Sequence, residues 1–389
     1  MKITIQPAPL KGAITPPPSK SQAHRAIIAA ALAGGGTITN LADSQDITAT
    51  QRCMAALGEL GGLPRLDCGE SGSTLRFLIP IALALRGGGI FTGRGRLMER
   101  PQTPYQVLFQ DKGIAWRQEG QVLTVQGSLI PGRCPMQGDV SSQFITGLLY
   151  ALPLLAGDSE IVLTTSLESQ GYVDLTLEVL SLFGIQIDRR ETGFWIPGGQ
   201  RYIPRDLAVE ADWSQAAFWY AAAGTGSAVQ VMGMNADSRQ GDRIITAWKP
   251  LLDGPEEITL DVSGCPDLVP PLAAWAALRA GRTTHMVNAA RLRLKESDRL
   301  TAVTQVLNAL GGAVEEGADC LTIHGRERLS GGTVSAHNDH RIAMMAAVAA
   351  ARCTQSVTIQ GAECVAKSYP GFWDDYAALG GRLSREEDF

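Results

Sequence analysis

One pattern, met three times, constrains the fold more than anything else in this chain. An apolar helix end runs into a glycine, then a short β-like run, a polar turn and a second β-like run. The first copy is Leu108 to Gly113 and Trp116, followed by Val122 to Val125 and Gly127. The second is Leu182 to Gly184 and Ile187, followed by Gly193 to Ile196, and the third is Leu310 to Val314, followed by Cys320 to Ile323 and Gly325. Each reads as a helix closed by a glycine C-cap and then a β-hairpin. Glycines at 61, 254 and 380 extend the series, with a period of about 50–70 residues, the scale of a supersecondary repeat. Six α/β units in two groups of three follow from this spacing. The stretch from Gly61 to Gly69 is too short for a full hairpin, and the stretch after Leu252 is trimmed as well. Chance glycine caps in an unrepeated α/β protein are the alternative, and recurrence of the whole hairpin pattern argues against it.

With 389 residues, 45% hydrophobic and 19% charged, the chain has the material for two or three domains with substantial cores. Pro16-Pro17-Pro18 is stiff and extended and suits a crossing between domains, with a second crossing near Pro204 to Glu210. The net charge of −5 argues against a nucleic-acid partner. An anionic small ligand would instead need lysines and arginines gathered locally. The seven cysteines make neither a CxxC pair nor a zinc spacing, and the five histidines make no metal pattern. Reduced thiols in a cytoplasmic protein are the simplest account. No apolar run reaches the roughly 18 residues of a membrane span, and the N-terminus shows no signal peptide. No cofactor and no membrane partner are expected, and a monomer is.

Lysines and arginines do gather, and they do so at helix starts. In Arg291-Leu-Arg293-Leu-Lys295-Glu296-Ser297-Asp298-Arg299 the alternation suits an extended strand with three cations on one face. Ser297 or Asp298 then caps a helix carrying Leu300, Val303, Val306, Leu307 and Leu310. Lys20, Ser21 and Arg25 precede or open the helix Ala26 to Ala33, without a Walker A pattern. Gly69-Glu70-Ser71-Gly72-Ser73 opens a helix at Thr74 with Arg76 in its first turn, where an acid is the usual choice. Arg100 stands before a proline-started helix, and Ser141, Ser142 and Gln143 before the helix Ile145 to Leu155. Ser169 and Tyr172 make a similar polar start, Asp267 precedes the apolar Val269 to Leu278, Asn338-Asp339-His340-Arg341 precedes Ile342 to Ala351, and Lys367 lies before the last helix. Taken singly, each is equally an ordinary cap or a solvated charge. Together they point to a phosphorylated substrate handled by acid/base groups, without a metal.

In order along the chain, Ser19-Lys20-Ser21, Gly72 to Arg76, Glu99-Arg100-Pro101, Ser141-Ser142-Gln143, Lys295 to Arg299, Asn338 to Arg341 and Ala366-Lys367 resemble the 5-enolpyruvylshikimate-3-phosphate synthase family. The resemblance implies an enolpyruvyl transferase-like α/β fold, a two-domain inverse α/β barrel of repeated βαβαββ units. One or two units should be trimmed here. The first domain would be 18–208 and the second 1–17 with 209–389, three units each. It further implies transfer of the enolpyruvyl group of phosphoenolpyruvate to the 5-hydroxyl of shikimate-3-phosphate. By matched position, Lys20, Ser21, Arg25, Ser141, Ser142, Gln143, Ser169, Tyr172, Asp267, Arg291 and Lys295 would surround shikimate-3-phosphate. Lys20, Gly72, Arg76, Arg100, Gln143, Arg299, His340, Arg341 and Lys367 would serve phosphoenolpyruvate. Asp267 resembles the family's proton acceptor and Glu296 its proton donor, with Lys20 and Lys295 beside the reacting groups.

This chain departs from the family pattern at Glu70, where many members have asparagine, at Arg291, where some do, and in its shorter length. The sister transferase acting on UDP-N-acetylglucosamine places a reactive cysteine in a loop corresponding to Phe91 to Pro104, which contains none. A non-catalytic binding protein on the same scaffold would lack Asp267 or Glu296, and an RNA-end-processing relative would carry a basic, aromatic-rich patch.

Overall fold

The structure is a computed structural model that describes residues 1–387. The chain divides into two compact units: an inserted unit, Pro18–Glu210, and a split unit made of Met1–Pro17 with Ala211–Phe389. Each has its own hydrophobic core.

The inserted unit carries helices α1 (Lys20–Leu32), α2 (Gln45–Gly58), α3 (Gly72–Arg86), α4 (Thr103–Asp111), α5 (Ser142–Ala151) and α6 (Gln170–Leu182). The split unit carries α7 (Trp213–Gly224), α8 (Ile245–Asp253), α9 (Val269–Ala277), α10 (Arg299–Ala309), α11 (His340–Ala350) and α12 (Phe372–Ala378). Every residue of α9 and of α11 is buried; α9 is apolar throughout and α11 is apolar after His340 and Arg341, as expected of helices buried on all sides. In the split unit α7, α9 and α11 pack on one another, and in the inserted unit α3 packs on α5.

Four sheets have four strands each and repeat one topology. In the sheet of Arg65–Asp67, Gly88–Thr92, Val122–Gln126 and Ala115–Glu119 the first two strands are parallel, and a hairpin then adds antiparallel to the second. Gly132–Met136, Ser159–Leu163, Gly193–Ile196 and Asp188–Arg190 do the same, as do Glu257–Asp261, Thr283–Val287, Leu321–His324 and Val314–Glu316. In the fourth sheet Gly332–Ser335 and Val357–Gln360 are parallel, and the N-terminal strand Lys2–Gln6 pairs with both Val357–Gln360 and Arg382–Glu386.

The remaining two units are trimmed to parallel pairs, Ile38–Thr39 with Leu207–Ala208 and Lys11–Ile14 with Ala228–Val231. Both hairpins flagged as short in the sequence are missing. The glycines mark the difference. Gly113, Gly184, Gly311 and Gly380 are left-handed, with φ of 69°, 82°, 90° and 87°, and each leads into further strand. Gly61 and Gly254, at φ 137° and −99°, do not close their helices in this way. Arginines tie down the shortened ends instead. Arg86 donates to the carbonyls of Leu57, Glu59, Gly61 and Gly62. Arg279 donates to those of Leu252 and Pro255, both at 2.7 Å.

One sequence expectation fails. Arg291 to Lys295 is not a strand; Ala290–Leu294 is a 3-10 turn. Leu292 is buried while Leu294 is exposed, so the alternating leucines never shared a face. The first strands of the second and third hairpins also start later than read, at Asp188 and Val314. Among the described residues, no helix is long and apolar enough to cross a membrane.

Candidate active site

In the inserted unit, the sequence-selected side chains meet at the N-termini of α1, α3, α5 and α6. Ser19, Ser71 and Ser141 are N-caps that accept backbone N–H groups of the next turn. Ser169 caps α6 in a left-handed conformation, φ 53°, without a side-chain cap bond. Lys20 donates to Asp46 at 2.8 Å. Arg25 is buried, and its hydrogen-bond partners among the described residues are neutral oxygens: the carbonyls of Ser21 (2.7 Å) and Tyr172 (2.9 Å) and the hydroxyls of Thr176 (2.8 Å) and Thr146 (3.5 Å). Its Cζ lies 5.2 Å from the Phe77 ring centre. Burial lowers its pKa to about 10, so it still carries a charge at neutral pH.

Arg76 is fixed by its neighbours. Nη1 donates to Gln143 Oε1 at 2.8 Å and Nη2 to the Pro101 carbonyl at 3.1 Å, and Cζ sits 4.7 Å from the Phe144 ring centre. Pro80, four residues on, has no N–H to give the Arg76 carbonyl. That carbonyl accepts from Tyr105 Oη at 2.9 Å instead. Gln143 Nε2 donates to Ser73 Oγ at 3.0 Å. Arg100 lies over Gly72, where a Cβ would stand 2.7 Å from Nη1. The side chain of Glu70 is turned toward Gly95, where a Cβ would lie 2.5 Å from Oε2.

The split unit gathers a dense ionic cluster. Arg299, 1% exposed, donates from Nη1 to Asp267 (2.8 Å), from Nη2 to Glu296 (2.7 Å) and from Nε to Asp339 (2.8 Å). Burial opposes this charge, but Asp339, Glu296 and Asp267 outweigh it and raise its affinity for the proton. Asp267 also accepts from Arg341 Nη2 at 2.9 Å and from Lys295 Nζ at 3.3 Å. Arg341 Nη2 donates as well to Ser214 Oγ at 2.9 Å, and Ser214 Oγ in turn donates to Asp212, the N-cap of α7. Burial pushes the Lys295 ammonium down to about 8, with Asp267 opposing and Arg299 reinforcing. Burial likewise works against the Asp339 charge, yet Arg299 holds that carboxyl below its usual range. Asp339 caps α11 and accepts from the Arg341 N–H at 2.9 Å and from Ser297 Oγ at 3.0 Å. Lys367 Nζ donates to the Asn338 carbonyl at 2.7 Å. His340 is buried beside Asp339, with Nδ1 3.9 Å from Oδ1. Arg291 donates to the Ser263 carbonyl.

Sequence reasoning missed Asp46, Ser214, Thr146 and Thr176 and gave Asp339 no role of its own. Asp339 stood inside a motif already singled out. The others looked like ordinary helix residues, and only the folded chain brings them to their partners. Three or more His, Cys, Asp or Glu arranged to hold a metal are absent among the described residues.

The model of one family, EPSP synthase (3-phosphoshikimate 1-carboxyvinyltransferase), matches residues 5–376. A Clostridium kluyveri protein named 3-phosphoshikimate 1-carboxyvinyltransferase is 46% identical, over 98% of each chain. One of the same name from Clostridium perfringens is 42% identical over 99% of this chain and 100% of its own. The first alignment runs over 417 positions, more than the 389 residues here, so that relative carries residues this chain lacks. A solved structure of EPSP synthase from Acinetobacter baumannii superposes with a TM-score of 0.77 at 24% identity, covering 99% of this chain and 100% of that one.

Proposed function

The chain belongs to the EPSP synthase family, 3-phosphoshikimate 1-carboxyvinyltransferase, and from that premise we propose how its residues carry the enolpyruvyl group of phosphoenolpyruvate to the 5-hydroxyl of shikimate-3-phosphate. Lys20, Ser21, Arg25, Ser141, Ser142, Gln143, Ser169 and Tyr172 take shikimate-3-phosphate, joined by Asp267, Arg291 and Lys295. Lys20, Gly72, Arg76, Arg100, Gln143, Arg299, His340, Arg341 and Lys367 serve phosphoenolpyruvate. Glu296 gives a proton to the methylene carbon, and the 5-hydroxyl oxygen bonds to the cationic carbon so formed as its proton passes to Asp267. A methyl proton of the tetrahedral adduct then returns to Glu296 as the carbon–oxygen bond to phosphate breaks, and the departing phosphate takes up the proton held by Asp267.

The observation that carries this reading is the pairing of Asp267 and Glu296 on one buried guanidinium, with Lys295 and Arg341 also on Asp267. Two acids held in fixed places by fixed cations suit proton transfer in both directions without reorganisation. The substrates bring two phosphates at about −2 each and two carboxylates, and Arg25, buried with only neutral oxygen partners, supports an anion on the α1 side. We also read the chain as a cytoplasmic monomer, supported by seven free thiols, six of them buried, and tested by light scattering.

The experiment is phosphate release with both substrates, comparing wild type with Asp267→Asn. Release should require both substrates and fall about 10²–10⁴-fold in the variant, the usual weight of one acid/base group. Well-folded protein that releases no phosphate even at high substrate, or an Asp267→Asn variant of wild-type rate, would refute the reading.

A further inference from the structure

Helices α1, α2 and α3 are joined by an unbroken line of buried polar groups that takes no part in the chemistry above. His24 Nδ1 lies 2.7 Å from Thr50 Oγ1, Thr50 Oγ1 lies 2.6 Å from Thr74 Oγ1, and Thr74 Oγ1 donates to Ser71 Oγ at 2.7 Å. His24 is 1% exposed and the other three 0%.

The direction of the line follows from proton counting. A hydroxyl has one proton. Thr74 spends its proton on Ser71, so toward Thr50 it accepts. Thr50 then spends its own on Thr74 and accepts from His24. A longer alternative for Thr50, the Asp46 carbonyl at 3.4 Å, competes poorly with a contact of 2.6 Å. His24 must therefore carry its proton on Nδ1. Burial, with Lys20 and Arg25 adding to it, pushes the imidazolium well below its ordinary pKa, so the ring is neutral and Nε2 is the bare nitrogen. Nε2 is indeed buried, with no hydrogen-bond partner among the described residues.

The ends of the line matter. His24 lies on α1 with Lys20 and Arg25. Ser71 is the N-cap of α3, directly before Gly72. Thr50 lies one turn beyond Asp46, the partner of Lys20.

We infer that His24 is a positioning residue: through Thr50, Thr74 and Ser71 it sets the Gly72 loop relative to the cations of α1, without touching substrate. This role rests on the proposed assignment of Lys20 and Arg25 to shikimate-3-phosphate and of Gly72 to phosphoenolpyruvate.

Two substitutions separate the role from mere packing. Asn places its amide N–H where Nδ1 stands, and Gln places it where Nε2 stands. His24→Gln should raise the KM for phosphoenolpyruvate roughly three- to tenfold, the span of one buried hydrogen bond. The KM for shikimate-3-phosphate and kcat should stay within about twofold. His24→Asn should recover most of the loss. Thr50→Val cuts the same line at its middle and should raise the same KM, and His24→Gln added to it should cost nothing more. Equal losses in the Asn and Gln variants, a joint rise of both KM values, additive losses in the double variant or an unchanged KM in Thr50→Val would each overturn the inference. Thr50→Val carries the test by itself if His24→Gln fails to fold. Lys20→Met is the separate control: if it moves neither KM, the site assignment fails, whatever the His24 variants do.

Discussion

Arg299 holds more of the split unit together than any other charged side chain described above, and removing it has a calculable cost. Its guanidinium serves Asp267, Glu296 and Asp339 at once, and Asp339 is fully buried. In Arg299→Met the packing volume largely remains, but Asp339 keeps a buried charge held by Ser297 Oγ and the Arg341 N–H, with the His340 ring 3.9 Å away. Breaking one side of a buried ion pair costs about 3–5 kcal/mol. At a urea slope of about 2–3 kcal/mol/M this is a midpoint drop of roughly 1–2.5 M. Five of the seven tryptophans, at 213, 219, 248, 275 and 373, belong to the split unit, so tryptophan fluorescence follows the transition that matters. The assay is urea unfolding without substrates, so any role of Arg299 in binding does not enter. Adding Asp339→Asn removes the stranded charge and should recover about 1–3 kcal/mol. A midpoint shift below about 0.3 M for Arg299→Met, or a double variant weaker than the single one, would refute the account of Arg299 as the counter-ion of a buried carboxylate.

Lys295, at about 8, should give kcat/KM an alkaline limb centred near pH 8 if its charge is required, and Lys295→Arg should carry that limb above about pH 10. The sign for stability is opposite: the folded pKa lies below the unfolded value of about 10.4, so protonated Lys295 opposes folding below pH 8 and the opposition fades as pH rises toward 10. Gly72→Ala puts a methyl 2.7 Å from Arg100 Nη1, the movable end of a side chain. It should raise the KM for phosphoenolpyruvate while leaving the melting temperature within a few degrees, about 1 kcal/mol. Arg279→Ala strands the Pro255 carbonyl and leaves that of Leu252 only the 3.5 Å contact from Arg282 Nη1, and should cost about 1–3 kcal/mol by denaturant titration, with no change in either KM.

The sequence made the repeat legible because its signals are local. A helix end, a left-handed glycine and a polar turn all fall within about 15 residues, so Gly113, Gly184 and Gly311 announce their hairpins, and the missing turns after Gly61 and Leu252 announce the trimmed ones. Helix starts were legible for the same reason: Asp298 and Asp339 both cap the helices they precede. Arg291 to Lys295 misled because a 3-10 turn and a strand can show the same alternation over five residues, and only burial tells Leu292 from Leu294. Partners far along the chain left no trace. Arg25 reaches Thr176 across 151 positions and Arg341 reaches Ser214 across 127. The acid-rich setting of Arg299 was half visible, since Glu296 is its neighbour in sequence while Asp267 and Asp339 are not.

The strand Lys2–Gln6 pairs with Val357–Gln360 and Arg382–Glu386. It leaves the ribosome about 350 residues ahead of the strands it pairs with. At about 5–20 residues per second, that length of synthesis separates the two by roughly 20–70 s. The inserted unit is contiguous and can finish folding in that interval. Through it, Ile3 and Ile5, both fully buried at the end, stay in water on an open strand edge. How fast the message is read therefore sets how long this chain is open to mispairing with its neighbours on a polysome, and a chaperone that holds this strand during synthesis would matter more here than one that acts after its partners have emerged.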